Sequence, residues 1–482
     1  MKIKMILPAL TEATSPFFRP IKYSLFPPLG LATLAGYLRP DDEVELVDEH
    51  VETLRLDDRP DLVVLQVYIT SARRAYAIAD YYRAMGVHVA MGGLHPSALP
   101  AEAARHADSV FIGPGEDTWP RFLEDFRAGR ALPLYSSTRR SLRGAPPVRR
   151  DLIRRALYLV PNSLVVSRGC PHSCDFCYKD AFYRGGRSFY TQAVDRALAE
   201  IESLPGRHLY FLDDHLFGDR RFAEALLDGM RGMGRLWQAA GTVQSVLAPR
   251  LMEKAAEVGL RSLFVGFETL SEDNLRGQGK AQNLGRDYGE AIRRLHGLGV
   301  MVNGSFVFGM DGDDATVFDR TVDWAVGQGV ETATFHILTP YPGTALYARM
   351  EREGRLLHAD WDRYDTRQVV FQPMRLSAEE LEEGYWRAYE RFYSWPALAR
   401  GAATKPTLAG GMRHFAYAAG WKKCEPFWDL VIRMRRVTQL RPVLERVLAG
   451  FSRRRAGEEA AVSDEQEGRL GEALPDELIG AD

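Results

Sequence analysis

Over residues 1 to about 140, short apolar runs alternate with stretches in which apolar positions recur every three or four residues. The runs at 2–7, 44–47, 62–67, 87–91 and 110–112 are rich in Val, Ile and Leu and too short for helices, so they predict buried strands. The stretches 29–38, 72–85 and 101–106 have helical character. This alternation specifies an α/β fold, a doubly wound parallel sheet with helices on both faces. The pattern breaks at 131–160, where Arg and Pro dominate, which predicts a linker with a solvated basic face. It resumes with strands at 164–166, 209–212, 242–246, 262–265, 302–307 and 332–337. Helices at 191–203, 222–230, 249–258, 288–298 and 317–328 separate them, as in a partial (β/α)6 barrel. After 371 only helical patterning is left, at 377–392, 414–420 and 427–448. The expected organisation is a first domain at 1–135, a linker at 136–160, a barrel at 161–372, a helical C-terminal region at 373–456 and a disordered acidic tail at 457–482.

Composition narrows the class. The chain has 482 residues, 46% hydrophobic and 26% charged, the ordinary mix of a globular protein. A net charge of −2 supplies no field for nucleic acid. No run approaches the ~18 apolar residues of a spanning helix, and the start lacks a signal-peptide core. Few cysteines, and those clustered, fit a reducing cytoplasm. A cytoplasmic protein is expected.

Three of the four cysteines, Cys170, Cys174 and Cys177, form a C-x3-C-x2-C cluster. Iron–sulfur clusters are usually held by four thiolates. Three on a cubane leave one iron open to a small molecule, and an open position marks a catalytic metal site. A structural zinc site using His172 as fourth ligand is a second reading, although such sites commonly pair their ligands across a loop. A ferredoxin-like carrier needs a fourth nearby Cys. Cys424 is remote and reads as a small buried apolar side chain.

The spacing, the aromatic Tyr178 after the last Cys and the preceding run Leu164-Val165-Val166 resemble the radical S-adenosylmethionine (radical SAM) enzymes. Upstream, the stretch from Pro27 to Leu38 and the turns Gly92-Gly93-Leu94-His95-Pro96 and Gly113-Pro114-Gly115-Glu116 resemble the cobalamin-binding domain that precedes many radical SAM modules. The resemblance implies a 4Fe–4S cluster on the three cysteines, with SAM chelated at the open iron. It implies that Tyr178 supports the adenine and that Glu268 accepts hydrogen bonds from the ribose hydroxyls. Gln244, read on the third barrel strand, joins this SAM-binding set. Asp213 and Asp214 stand where many family members carry Gly-Gly-Glu. One suits the SAM ammonium, and the other faces substrate or caps a helix. Asp311 and Asp313 read as turn formers as well as candidate acids. Gly92, Gly93, His95, Gly113, Gly115 and Glu116, at two successive strand ends, are read as a cobalamin pocket, since paired glycines let a bulky ligand approach the backbone.

One departure stands out. Such domains often place a D-x-H-x-x-G loop after the first strand, whose His ligates cobalt. Here that position reads Pro8-Ala9-Leu10-Thr11. Asp48-Glu49-His50 follows the second strand instead, so His50 is read as a loop residue and not a ligand.

The implied activity is reductive cleavage of SAM to a 5′-deoxyadenosyl radical, fed by an electron donor such as flavodoxin or ferredoxin, with methylation of an unactivated carbon through methylcobalamin. Cyclisation, oxidation or rearrangement without methyl transfer is the alternative; an iron–sulfur electron carrier is the more distant one. Dense C-terminal aromatics, among them Tyr385, Trp386, Tyr389 and Trp395, suit core packing or a lid over an apolar small-molecule or lipid-like substrate. The basic stretch from Lys422 and Lys423 to Arg453–Arg455 reads as a solvated helix face or as a peripheral membrane contact.

Overall fold

The computed structural model describes residues 1–10, 25–422, 434 and 437–450. Cys424, most of the basic stretch and the acidic tail lie outside the described residues.

Strands β1 (Lys2–Leu7), β2 (Glu43–Asp48), β3 (Leu62–Gln66), β4 (His88–Gly92), β5 (Ser109–Ile112) and β6 (Leu134–Ser136) form a parallel sheet in the order β2-β1-β3-β4-β5-β6. Side chains alternate across its two faces. Ile3, Met5 and Leu7 pack into one core layer, and Ile6 packs into the other with Val63 and Leu65. Lys4 shares the second face and is buried because Asp58 accepts from its Nζ at 2.8 Å and the Arg55 carbonyl at 2.7 Å. The chain crosses over on both sides of β1, so a crevice opens at the carboxyl ends of β1 and β3.

Strand β6 and the segment leading from it to the barrel correct the expectation of a solvated basic linker. Tyr135, Ile153, Leu157 and Tyr158 are buried in the core of the first sheet, and Leu159 and Val160 are buried beside Phe26 and Tyr210. Arg140 is buried without a carboxylate partner. Its two terminal nitrogens donate to the backbone carbonyls of Ser137, Tyr183, Arg184 and Arg187, four acceptors in place of a counter-ion. Arg139 and Arg143 are exposed.

The second sheet starts at β7 (Ser163–Leu164), after which β8 (Ser167–Gly169) and β9 (Phe189–Thr191) form an antiparallel ribbon. It continues through β10 (His208–Phe211), β11 (Leu236–Gly241), β12 (Leu260–Glu268), β13 (Met301–Phe308) and β14 (Thr332–Ile337), in the order β14-β13-β12-β11-β10-β7. All its neighbours are parallel, giving the open six-stranded barrel expected. The third strand is Leu236–Gly241, not 242–246. Thr242 caps a helical turn, Val243–Val246, by accepting from the Ser245 amide at 3.2 Å, while Ser245 donates back to the Thr242 carbonyl at 2.7 Å. That reciprocal cap turns an apolar run with strand-like composition into a helix. The true strand, Leu-Trp-Gln-Ala-Ala-Gly, has weak β-propensity.

Helix Ala378–Phe392 packs beside β14, Trp395–Ala403 packs against it and against helix Val317–Gly327, and Leu408–Lys422 packs on Trp395–Ala403. Tyr393 Oη donates to the Ala333 carbonyl at 2.9 Å and accepts from the Ala333 amide at 3.1 Å, and Tyr389 serves Phe335 in the same way. The aromatic layer therefore covers the free edge of the barrel sheet, where unpaired backbone groups need partners. Among the described residues no helix is long and apolar enough to cross a membrane.

Candidate active site between the two sheets

The cysteine loop leaves β8 at Gly169, whose φ of +74° no other residue adopts readily and where a Cβ would collide with the Ser188 carbonyl. That carbonyl accepts from the Cys170 amide at 3.0 Å, and the Cys174 carbonyl accepts from the Cys177 amide at 3.0 Å. Lys179, buried at the head of the short helix Lys179–Phe182, donates to the Cys170 carbonyl at 3.1 Å. Asp175 ties the loop to the barrel rim: its amide donates to the Gln278 carbonyl at 3.1 Å, and its carbonyl accepts from the Leu346 amide at 3.1 Å.

All three thiols are free. Cys174 is buried and the others are half-buried. Burial pushes the Cys170 thiol up and that of Cys177 up to about 12. A metal ligand must be a thiolate, and bonding to iron removes the cost of that buried charge. Three soft donors in one loop, with Gln282 Nε2 donating to Cys174 Sγ at 3.4 Å, fit a cluster of iron and sulfide. The His172 ring sits 5.5 Å from that of His215. Among the described residues no three His, Cys, Asp or Glu, the cysteines included, gather at a single ion position.

The paired aspartates divide. Asp213 is buried, and its carboxylate accepts from the amides of Val166 and Ser167 and from Ser167 Oγ at 2.5 Å. Its acceptor sites are turned toward the start of β8, so its place in the catalytic set is corrected to positioning the cysteine-bearing ribbon. Asp214 faces the cavity described below and accepts from Tyr178 Oη. Desolvation within the cavity walls raises its carboxyl above the usual range and the Tyr178 phenol well above its own.

Glu268 ends β12 with φ +66°, a conformation uncommon for a Glu. Its carboxylate is buried and ion-paired with Lys280. The structure therefore supplies a protein partner where the sequence suggested ribose hydroxyls. A Cβ on Gly266 would meet Glu268 Oε1 at 2.5 Å and Lys280 Nζ at 3.1 Å, so glycine there leaves room for the pair. Gln244 is exposed on its helical turn rather than carried on a strand. Asp313 accepts from the amides of Gly309 and Met310 at 2.9 and 3.0 Å and from Asn274 Nδ2 at 2.7 Å. Asp311 pairs with Arg355 at 2.9 Å. Both act within the turn after β13.

Between the sheets lies a cavity of roughly 750 Å³. On the first-domain side it is walled by Gly92, Gly93, Gly113, Gly115 and Glu116, and on the barrel side by Tyr178 and Asp214. Gly93, at φ +116°, packs against Val67, whose carbonyl a Cβ would meet at 2.7 Å. Glu116 accepts from Arg168 Nε at 2.9 Å, so the carboxylate is spent on a link between the domains. The volume sits at the upper end for ligand pockets, ~300–1,000 Å³, and suits a bulky ligand such as a corrinoid at the switch point of the first sheet.

His95 does not line this cavity. It is fully buried, with Nε2 2.9 Å from Tyr76 Oη and 3.1 Å from Glu102 Oε1, and Trp361 Nε1 donates to the same Glu102 at 3.2 Å. Its assignment to the cofactor pocket is corrected to a joint between the first domain and the segment after the barrel. His50 is buried too. Asp48 lies 2.7 Å from its Nδ1, the Leu10 amide donates to its Nε2 at 3.2 Å, and Tyr158 donates to Asp48 at 2.9 Å. Both ring nitrogens thus have partners within the protein. Sequence reasoning missed Gln66, Tyr68, Arg168 and Arg196 in the cavity wall. Tyr68 just after β3, the strand beside the crossover, and Arg168 two residues before Cys170 were the available signals.

Residues 23–123 match a model of the B12 binding domain, residues 164–325 the radical SAM superfamily, and residues 344–456 a domain of unknown function, DUF4070. The chain is 29% identical over 394 residues to bacteriochlorophyllide d C-12(1)-methyltransferase of Chlorobaculum tepidum, covering 79% of this chain and 85% of that one. It is 24% identical over 460 residues to anaerobic magnesium-protoporphyrin IX monomethyl ester cyclase of Rubrivivax gelatinosus, covering 84% and 81%. In fold it is similar to the radical SAM methyltransferase TsrM from Kitasatospora setae, with a TM-score of 0.64 at 15% identity, covering 90% of this chain and 99% of that one.

Proposed function

Because the chain belongs to the radical SAM enzymes that carry a B12-binding domain, we propose that it methylates an unactivated carbon of an apolar small molecule. Cys170, Cys174 and Cys177 would hold the 4Fe–4S cluster, and the cavity between the sheets would hold the corrinoid. When bound, the cluster and SAM supply a 5′-deoxyadenosyl radical and the corrinoid supplies the methyl group, with an external electron donor such as flavodoxin or ferredoxin in a reducing cytoplasm. The observation that carries this reading is the shared chamber: one cavity reaches from the glycine turns of the first sheet to Tyr178 and Asp214 beside the cysteine loop.

The protein's own contribution is placement and exclusion of water. Asp213 and Arg140 hold the two flanks of the cysteine loop, and Arg168 with Glu116 fixes that loop against the first domain. Tyr178 donates a hydrogen bond to Asp214, and the pair faces the chamber. Lys280 and Glu268 present a buried charge pair at the barrel mouth, able to exchange partners with a charged ligand. The relatives named for a bacteriochlorophyllide and for magnesium-protoporphyrin IX monomethyl ester support a flat apolar substrate.

The test is anaerobic purification from cobalamin-fed cells, cluster reconstitution, metal analysis and incubation with isotopically methyl-labelled SAM and a tetrapyrrole acceptor. About four irons per chain, bound corrinoid, 5′-deoxyadenosine and label in the acceptor are expected. 5′-Deoxyadenosine formed with the acceptor altered but unlabelled would replace methyl transfer with cyclisation, oxidation or rearrangement. Iron content and cleavage unchanged in Cys174→Ala would overturn the cluster assignment.

A further inference from the structure

Helix Val194–Ser203 turns Ala197 and Ile201 into the barrel core and lays Arg196, Glu200 and Ser203 along the cavity. These three are at positions i, i+4 and i+7, so they share one face. Three arginines reach the cavity wall: Arg150, Arg168 and Arg196. Arg150 is paired with Glu200 at 2.6 Å and Arg168 with Glu116 at 2.9 Å. Arg196 is half-buried, and among the described residues its guanidinium has neither an ion pair nor a hydrogen bond.

The carboxylates that could answer it are engaged. Glu200, one turn along the same face, is held by Arg150, and Glu116 is held by Arg168. Asp214 accepts from Tyr178 Oη beside the cysteine loop. Asp117, outside the wall, accepts from the amides of Thr138 and Arg139 at 3.2 and 3.1 Å. The Tyr37 phenol shows how these charges are grouped. Burial and the charge of Glu116 push it up to about 12, while Arg168 and Arg196 act in the opposite direction. Two guanidiniums therefore gather near one phenol, and Glu116 neutralises only one of them. A guanidinium offers five donors and no acceptor. Its fork matches a carboxylate through two parallel hydrogen bonds, which adds geometric selectivity to charge. In a cavity wall that attraction is stronger than on an open surface, because less water screens it.

We propose that Arg196 receives a carboxylate of the acceptor molecule, so that the substrate class is an apolar molecule with an acid group at one edge. The inference rests on the proposed function for the premise that the acceptor enters this cavity. Arg196 then fixes which edge of a flat acceptor lies against helix Val194–Ser203, and so limits which carbon is presented for reaction.

The full-length, cluster-reconstituted protein is titrated with protoporphyrin IX, which carries free carboxylates, and with its dimethyl ester, which carries none, at one detergent concentration. Binding is followed by quenching of tryptophan fluorescence, without turnover. The acid is expected to bind about ten-fold more tightly than the ester. Arg196→Gln should weaken the acid about ten-fold, to the level of the ester, and leave the ester unchanged. Arg196→Lys keeps the charge without the fork and should recover part of the loss. Circular dichroism and iron content should be unchanged in both variants, because Arg196 holds no protein partner. Failure of both porphyrin forms to bind, equal binding of the two to the wild type, or an equal loss of both in Arg196→Gln overturns the proposal.

Hydroxocobalamin and dicyanocobinamide test the other anion that enters such a cavity, the phosphodiester of the corrinoid nucleotide loop, which cobinamide lacks. Both are expected to bind Arg196→Gln as they bind the wild type. Loss of hydroxocobalamin with cobinamide retained would assign Arg196 to the corrinoid and overturn the substrate contact. An acid–ester difference that persists although no label passes from SAM to the acceptor would sink the methyl-transfer reading and still support this contact.

Discussion

Arg168 donates through Nε to Glu116 at 2.9 Å, and this pair joins the second glycine turn of the first sheet to the strand that enters the cysteine loop. Breaking a fully buried pair by removing one partner costs about 3–5 kcal/mol. These side chains are 17% and 10% exposed, so a smaller loss, about 2 kcal/mol, is expected after discounting for solvent in the cavity. Stability by chemical denaturation should fall from wild type to Glu116→Gln to Glu116→Ala. Corrinoid retention should fall in the same order, because the pair is part of the cavity wall. Full retention in Glu116→Ala would separate the link from the pocket.

The Glu268–Lys280 pair predicts a strong coupling. Lys280→Met leaves a buried carboxylate unpaired, and Glu268→Gln leaves a buried ammonium unpaired. Each single change should cost about 3 kcal/mol, and the double variant clearly less than their sum, by about 1–3 kcal/mol. Denaturation of the four proteins closes the cycle. Additive losses would mean that the two groups do not meet in solution.

Burial pushes the carboxyls of Asp213 and Asp313 up to about 6. In the unfolded chain such groups titrate near ~3.9. The folded state therefore binds more protons between these values, and their contribution to stability falls as pH rises through about 4 to 6, then levels off. The stability difference between wild type and Asp213→Asn/Asp313→Asn should shrink, or turn against wild type, from pH ~5 to ~6.5. A difference that grows with pH would show that the amide and hydroxyl donors outweigh desolvation.

His95 tests the distinction between a pocket residue and a joint. The hydrogen bond from His95 is the main reason that the Glu102 carboxyl falls to about 2, with Tyr76 and Trp361 adding donors. This contribution is present above the ordinary Glu range and is lost as pH drops toward ~2. Trp361→Phe removes one donor to a charged acceptor and should cost about 1–2 kcal/mol near neutral pH. His95→Ala should cost more, while hydroxocobalamin binding followed by absorbance stays unchanged in both. Loss of corrinoid binding with stability intact would return His95 to the pocket.

The contrast between Cys170 and Asp213 shows where sequence reading is strong. Three soft ligands within one loop carry their chemistry in their spacing, whatever surrounds them. A carboxylate carries none until its neighbours are known: Asp213 looked equivalent to Asp214, and only the return of β8 across the end of β10 turned it toward Ser167. The same holds for Glu268, whose partner Lys280 lies in a loop with no periodic signal. It holds also for Arg140, whose acceptors on Tyr183, Arg184 and Arg187 lie 43, 44 and 47 residues along the chain.

Hydrophobic periodicity located most strands of both sheets and the longer barrel helices, because burial on a two- or 3.6-residue period is a local property of the chain, but it gave no sign of strand β6 or of the helix Trp119–Arg127. It misplaced the third barrel strand where the reciprocal Thr242–Ser245 cap outweighed local composition. The sequence by itself determined the α/β architecture, the three-thiol loop and the glycine turns that face it. The tertiary structure decided which polar groups are spent on the protein itself, since hydrogen-bond and ion-pair partners are chosen by spatial proximity, and a chain of this length brings together residues that no local pattern connects.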